Sequence, residues 1–215
     1  MSHVVLLGDS ILDNAAYVRG GPDVVRQLRG KLPAEWDSTL LARDGAVTRE
    51  VRSQLARLPR DATHLVVSAG GNDALGASFL LGRRVGSVAE AVSLLENAQS
   101  HFASDYSEMA DAVAATGLPA AFCTVYDTPS SSPDHRIVRT ALAVFNDVIT
   151  RAAFSRGAGL IDLRLICDED EDYANPIEPS VQGGGKIASA IAAWAAAGNP
   201  TGYGAVLTLR DTEYA

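Results

Sequence analysis

Short apolar segments alternate with helical patterns along most of this chain. Five segments have the length, branched aliphatic content and flanking turn residues of buried strands; they are residues 3–7, 38–42, 64–68, 120–125 and 159–163. Helical patterns occupy about residues 22–31, 46–57, 87–115, 135–156 and 185–197. This alternation predicts βαβ units. We therefore expect an α/β fold with a five-stranded parallel sheet between two layers of helices.

Composition limits the classes of partner. The 215 residues carry a formal net charge of −8, which disfavours a nucleic-acid partner because phosphates need a basic face. No apolar segment is long enough for a membrane span, and the N-terminus lacks the pattern of a secretory leader. We expect a cytoplasmic protein of one domain over residues 1–215, with about 198–215 as a C-terminal extension whose apolar run at 205–209 stays unassigned.

The cysteines, two loops and the long helix are interpreted as structural features rather than as functional sites. Cys123 and Cys167 are predicted to be free thiols. Two loops are predicted, at residues 126–133 and 167–179, and the acid run 168–172 matches no calcium loop. In the long helix, six apolar residues at helical spacing predict one buried face; they are Ala91, Leu94, Leu95, Ala98, Phe102 and Met109. We predict no cofactor and no metal site.

Three polar turns follow the first three predicted strands. Gly8-Asp9-Ser10 follows the first, Gly45 lies in the turn after the second, and Gly70-Gly71-Asn72-Asp73 follows the third. The carboxyl ends of parallel strands share one edge of the sheet, so these turns converge where α/β proteins place reactive groups. The N–H groups of Ser10 and Gly45, with the Asn72 amide, make a set of three donors suited to an oxyanion.

In this order and spacing, the three turns resemble the first three sequence blocks of the SGNH (GDSL-type) hydrolase superfamily. The resemblance implies a flavodoxin-like three-layer α/β/α fold. It also implies activity as an esterase, lipase, thioesterase or carbohydrate deacetylase on a small-molecule ester. Carried over, Ser10 is the nucleophile, and Ser10, Gly45 and Asn72 form the oxyanion hole.

The fourth block of that family, Asp-x-x-His, is altered in this chain. Counting back from Gly183, the histidine position falls on Glu178 and the orienting acid on Asn175. Read literally, Asp-x-x-His instead places the acid on Asp172 and the base on Asn175. We favour the first alignment because it keeps the distance to the final helix. Burial can raise a glutamate pKa to about 6–7, which would make Glu178 a usable base.

Among the four histidines, His135 is the alternative base because it follows the loop after the fourth strand. His3 and His64 fall at the opposite end of their strands, and His101 lies within the long helix. Asp9 and Asp73 are predicted to support the turns that contain them.

Two further interpretations stay open beside a serine esterase. One is a binding protein that keeps the fold and pocket without turnover. The other is an acyltransferase that acts on a small intracellular acceptor. The oligomeric state is not predicted.

Overall fold

The computed structural model describes residues 2–197 and 206–207. Its strands are β1 (His3–Gly8), β2 (Asp37–Leu40), β3 (His64–Ser68), β4 (Ala120–Cys123), β5 (Gly159–Ile161), β6 (Tyr173–Asn175), β7 (Glu178–Pro179) and β8 (Val206–Leu207). Its α-helices are α1 (Val24–Lys31), α2 (Val51–Leu55), α3 (Gly71–Ala77), α4 (Val88–Ala114), α5 (His135–Ser155) and α6 (Val181–Ala196). Short 3₁₀ helices lie at Thr48–Glu50, Ser78–Gly82, Leu163–Leu165 and Asp170–Asp172.

The main sheet is parallel throughout, in the order β2-β1-β3-β4-β5-β8. Successive side chains of a strand point to opposite faces, so β1 contributes to two cores. Val4 and Leu6 pack in the core that contains α1 and α6, whereas Val5 and Leu7 pack in the core that contains α4 and α5. The three-layer α/β/α arrangement predicted from the sequence is confirmed.

The turn after β1 has little freedom. Gly8 has φ +121°, and a Cβ atom there would lie 1.7 Å from the Ser68 carbonyl oxygen. The buried Gln54 side chain also binds this peptide: its Nε2 donates to Gly8 O at 2.8 Å, and Gly8 N donates to its Oε1 at 2.7 Å. Only glycine fits here, and the direction in which the chain enters Asp9 and Ser10 is therefore fixed.

The structure adds elements that the sequence did not reveal. The sheet gains β8 within the unassigned run 205–209. The predicted loop 167–179 contains the antiparallel hairpin β6–β7. The helix α3 was not predicted, and α6 begins at Val181 rather than at 185. Gly183 lies within the first turn of α6, where a Cβ atom would lie 2.2 Å from the Asp172 carbonyl oxygen.

The predicted buried face of the long helix is confirmed for only two of its six residues. Phe102 and Met109 are buried, but Ala91, Leu94, Leu95 and Ala98 are only half-buried. All buried residues of α4 lie at Phe102 or beyond it. Helical spacing identifies the apolar face of a helix, but it does not say what covers that face.

The acid run is partly bound by a lysine. Lys186 Nζ contacts carboxylate oxygens of Asp168, Glu169 and Asp172 at 3.2, 2.9 and 2.8 Å, and Asp172 is fully buried. Asp170 accepts hydrogen bonds from the backbone of Ser130 and Ser131. The run therefore ties the segment before β6 to α6 and to the loop after β4.

Cys123 and Cys167 are both free and buried, as predicted. Within the described part of the chain, no helix is long and apolar enough to cross a membrane.

Candidate active site

Ser10 lines a cavity of about 120 Å³. Asp9, Asn72 and Glu178 line the same cavity. Ser10, Asp9 and Glu178 are 6%, 2% and 4% exposed, so three reactive side chains are held away from bulk water. The structure thus brings the predicted nucleophile and the predicted base, 168 positions apart in the chain, to one buried place.

Two side-chain hydrogen bonds fix the backbone on either side of Glu178. Tyr126 donates its hydroxyl to Ile177 O at 3.1 Å, and Asn14 Nδ2 donates to Pro179 O at 3.2 Å. The hairpin adds the β6–β7 pairing of Asn175 with Glu178. Both flanking carbonyls are therefore anchored, which restricts the position of the glutamate side chain.

The electrostatics of Glu178 suit a proton acceptor. Burial raises the pKa of Glu178 from 4.5 to about 7, the nearby Ser10 side chain opposes that rise, and the Asp44 charge adds to it. The carboxyl oxygen Oε2 is buried and has no hydrogen-bond partner among the described residues. Glu178 therefore has a free acceptor atom in the cavity that Ser10 also lines.

Asp9 is a second buried carboxyl group. Its Oδ1 accepts from Ile11 N at 3.2 Å and from the Ser68 hydroxyl at 3.5 Å, so it supports the turn that holds Ser10. Burial raises the pKa of Asp9 to about 7, the bond from Ile11 opposes that rise, and the charge of Glu178 adds to it. No Lys, Arg or His is among the described residues that line the cavity. Because two neighbouring carboxylates without a cation repel each other, one proton is retained near neutral pH.

The three predicted oxyanion donors lie at the expected turns. The backbone N–H groups of Ser10 and Gly45 donate no hydrogen bond within the described residues. Asn72 Nδ2 donates to Ala46 O at 2.9 Å, which ties Asn72 to the Gly45 turn and leaves its second amide hydrogen free. Asp73 Oδ2 accepts from the backbone N and hydroxyl of Thr48, at 3.0 and 2.9 Å, and so anchors α3 to the same region.

Among the described residues, the side chains of Asn175 and His135 make hydrogen bonds elsewhere and none with the Glu178 side chain. Asn175 Oδ1 accepts from Ile177 N at 2.9 Å, in a local turn of the hairpin. His135 Nδ1 bonds Thr128 O at 2.8 Å, and the ring is not among the described residues that line the cavity. His3 and His64 start β1 and β3, away from Ser10. Of the three candidate bases, Glu178 is therefore the one that lines the cavity with Ser10.

Sequence reasoning missed the role of Asn14 and the hydrogen bond from the Tyr126 hydroxyl to Ile177 O. Asn14 is fully buried, and its Oδ1 also accepts from Val24 N at 2.9 Å. It therefore links the segment after Ser10, the start of α1 and the strand with Glu178. Tyr126 is 5% exposed and lines the cavity. These contacts have no signal in residue type or local spacing, because they join distant parts of the chain. Asn14, for example, lies 165 positions from Pro179.

Comparison with solved structures identifies the same fold elsewhere. An extracellular lipase from Streptomyces rimosus superposes with a TM-score of 0.65 at 15% identity, covering 86% of this chain and 96% of that one. The carbohydrate acetylesterase Est24 from Sinorhizobium meliloti gives a TM-score of 0.65 at 11% identity, with 92% and 99% covered. LAE5, an α/β hydrolase enzyme from the metagenome of Lake Arreo, gives 0.66 at 20% identity, with 94% and 97% covered.

No curated protein matches the sequence. The sequence profile of the GDSL-like lipase/acylhydrolase family, in contrast, matches residues 6–183. This range begins within β1, contains all three polar turns and ends just beyond Glu178. The chain therefore belongs to the GDSL-like lipase/acylhydrolase family.

Proposed function

We propose that this chain is a serine ester hydrolase in which Ser10 is the nucleophile and Glu178 replaces histidine as the base. The observation that carries the proposal is that Ser10 and Glu178, both buried, line one cavity, where burial raises the pKa of the Glu178 carboxyl group to about 7. An ordinary glutamate is too weak a base for a serine, whereas a base with a pKa near the working pH is effective.

The chemistry divides into two halves. In the first, Glu178 takes the Ser10 proton as Oγ attacks the ester carbonyl carbon, and the same carboxyl then protonates the departing alkoxide as its bond to carbon breaks. In the second, water attacks the acyl-enzyme and gives its proton to Glu178, which returns it to Ser10 as the carboxylic acid leaves. The free N–H groups of Ser10, Gly45 and Asn72 are proposed to hold the oxyanion in both halves; loss of one such donor typically costs about 3–4 kcal/mol.

Hydrolysis of 4-nitrophenyl butyrate by four proteins tests the proposal. We expect Ser10→Ala to abolish hydrolysis and Glu178→Gln to lower kcat by at least 100-fold, because the amide cannot accept the proton. Glu171→Gln, an exposed glutamate of the acid run, serves as the matched control and is expected to keep the wild-type rate. Full activity in Glu178→Gln would refute the glutamate base and move attention to His135.

A further inference from the structure

The N-terminal halves of α4 and α5 carry apolar side chains that the core does not cover. The buried residues of α4 begin at Phe102, and those of α5 begin at Phe145. Before these points, Leu95, Val138 and Leu142 are only half-buried. Apolar surface left open in this way is unfavourable unless a ligand or partner covers it.

These half-buried side chains line the same cavity as Ser10. The two helices contribute six lining residues, all apolar; they are Leu95, Ala98, Val138, Ala141, Leu142 and Phe145. From α3 and the 3₁₀ helix that follows, Leu75 and Leu81 line the same cavity and are each 45% exposed. The cavity thus combines the reactive groups with a largely apolar lining, part of which is exposed at Leu75 and Leu81.

The size and the charge of the cavity limit the kinds of ligand that can bind in it. A volume of about 120 Å³ is many times the roughly 10–15 Å³ that one water needs, so the methyl group of an acetyl ester would leave most of it empty. The only charged residues among its described lining are the acids Asp9, Asp127 and Glu178, which repel an anionic substituent. Sugar hydroxyls would lose hydrogen bonds against the α4 and α5 wall.

We infer that this cavity is the binding site for a hydrocarbon chain of the ester substrate, with α4 and α5 as its walls. The inference rests on the proposed function for its substrate and extends it by naming the substrate class: uncharged esters with a chain of several methylenes, rather than acetyl esters of sugars. The chain belongs to either the acyl or the alcohol side of the ester, and the two sides are separable by experiment.

Two substrate series test the class. The first is 4-nitrophenyl esters from acetate to octanoate, and the second is ethyl to octyl acetates followed by pH-stat. Each methylene buried in an apolar site adds about fourfold to kcat/KM, from about 0.8 kcal/mol per methylene. We expect this rise in one series and a flat response in the other, which identifies the side of the ester that enters. A flat response in both series overturns the inference while leaving the proposed hydrolase intact.

Variants of the wall locate the site. Leu95→Trp fills the cavity from α4, and Ala141→Phe fills it from α5, so one variant remains if the other fails to fold. Val92→Trp, on the same helix but 58% exposed and outside the cavity lining, is the matched control. Both wall variants are expected to lower kcat/KM for the octyl substrate at least tenfold, whereas Val92→Trp is expected to keep the wild-type value. Equal kcat/KM values of Leu95→Trp and Val92→Trp for the octyl substrate would refute the location of the chain-binding site in this cavity.

A binding experiment separates this inference from the proposed chemistry. Ser10→Ala cannot form the acyl-enzyme, so calorimetric titration with the eight-carbon ester of the series that responds, 4-nitrophenyl octanoate or octyl acetate, reports occupancy alone. We expect binding by Ser10→Ala and at least tenfold weaker binding when Leu95→Trp is added. Such binding without hydrolysis by the wild type would refute the esterase and keep the chain site. If the wild type hydrolyses the ester but binding by Ser10→Ala does not depend on Leu95, the esterase proposal stands and the chain site is refuted.

Discussion

The proposed base predicts that removing it stabilises the protein at alkaline pH. In the folded state, burial raises the pKa of Glu178 to about 7 from its ordinary 4.5. Between these two values the unfolded chain has lost the proton and the folded chain keeps it, so the free energy of unfolding falls as pH rises. The stabilisation is full below about pH 4.5 and is lost as pH passes through 7. In Glu178→Gln the side chain is neutral at every pH, and this loss disappears.

The magnitude follows from the pKa difference. Moving a carboxyl pKa from 4.5 to about 7 corresponds to about 3 kcal/mol, at about 1.4 kcal/mol per pH unit. Water that enters the cavity reduces the penalty, so we expect about 1–3 kcal/mol. A variant that has lost its activity is therefore expected to be the more stable protein at pH 8, a trade-off that active sites commonly show.

Urea unfolding at pH 5 and pH 8 measures the effect. We expect Glu178→Gln to be more stable than wild type by less than about 1 kcal/mol at pH 5 and by about 1–3 kcal/mol at pH 8. Glu35→Gln, which removes an exposed glutamate without an ion pair in the described residues, is the control and is expected to show no such change. A difference that stays constant with pH would refute a raised pKa for Glu178.

Three further changes test the surroundings of the site. Asp9→Asn removes the neighbouring carboxyl group that competes with Glu178 for a proton, so the acid limb of the kcat/KM profile is expected to move to lower pH; no movement would show that the two groups titrate independently. Tyr126→Phe loses the bond to Ile177 O and is expected to lower kcat about tenfold at a stability cost of about 1 kcal/mol, compared by steady-state kinetics and urea unfolding. Lys186→Met leaves the buried Asp172 carboxylate without its cation and is expected to cost about 3 kcal/mol, read as a lower urea midpoint; an unchanged midpoint would make the ion pair dispensable.

The regular part of the fold was predictable because its signals are local and long enough to recognise. β1, β4 and β5 are buried at every residue and read as apolar runs, and α5 shows helical periodicity over its full length. The hairpin β6–β7 escaped prediction because strands of three and two residues are too short to show a period. The helix α3 was hidden by its glycines, which are typical of turns.

The site was predictable only in part for a different reason. Gly8-Asp9-Ser10 and Gly70-Gly71-Asn72-Asp73 are contiguous motifs at strand ends, so their convergence follows from topology. The buried environment of Glu178 depends on Asn14 and Tyr126, which reach it through tertiary contacts. Likewise, the apolar face of α4 looks the same in sequence whether it packs in a core or lines a cavity.

The central claim is that Glu178 activates Ser10. Its most direct test is the rate at which a fluorophosphonate labels the protein between pH 5 and 9, followed by intact mass, for wild type, Ser10→Ala and Glu178→Gln. This rate reports attack by the serine without dependence on the natural substrate. The account predicts a single adduct on the wild type that is absent from Ser10→Ala, forms at a rate half-maximal near pH 7, and forms at least 100-fold more slowly in Glu178→Gln. A labelling rate that is the same in Glu178→Gln as in the wild type would contradict it.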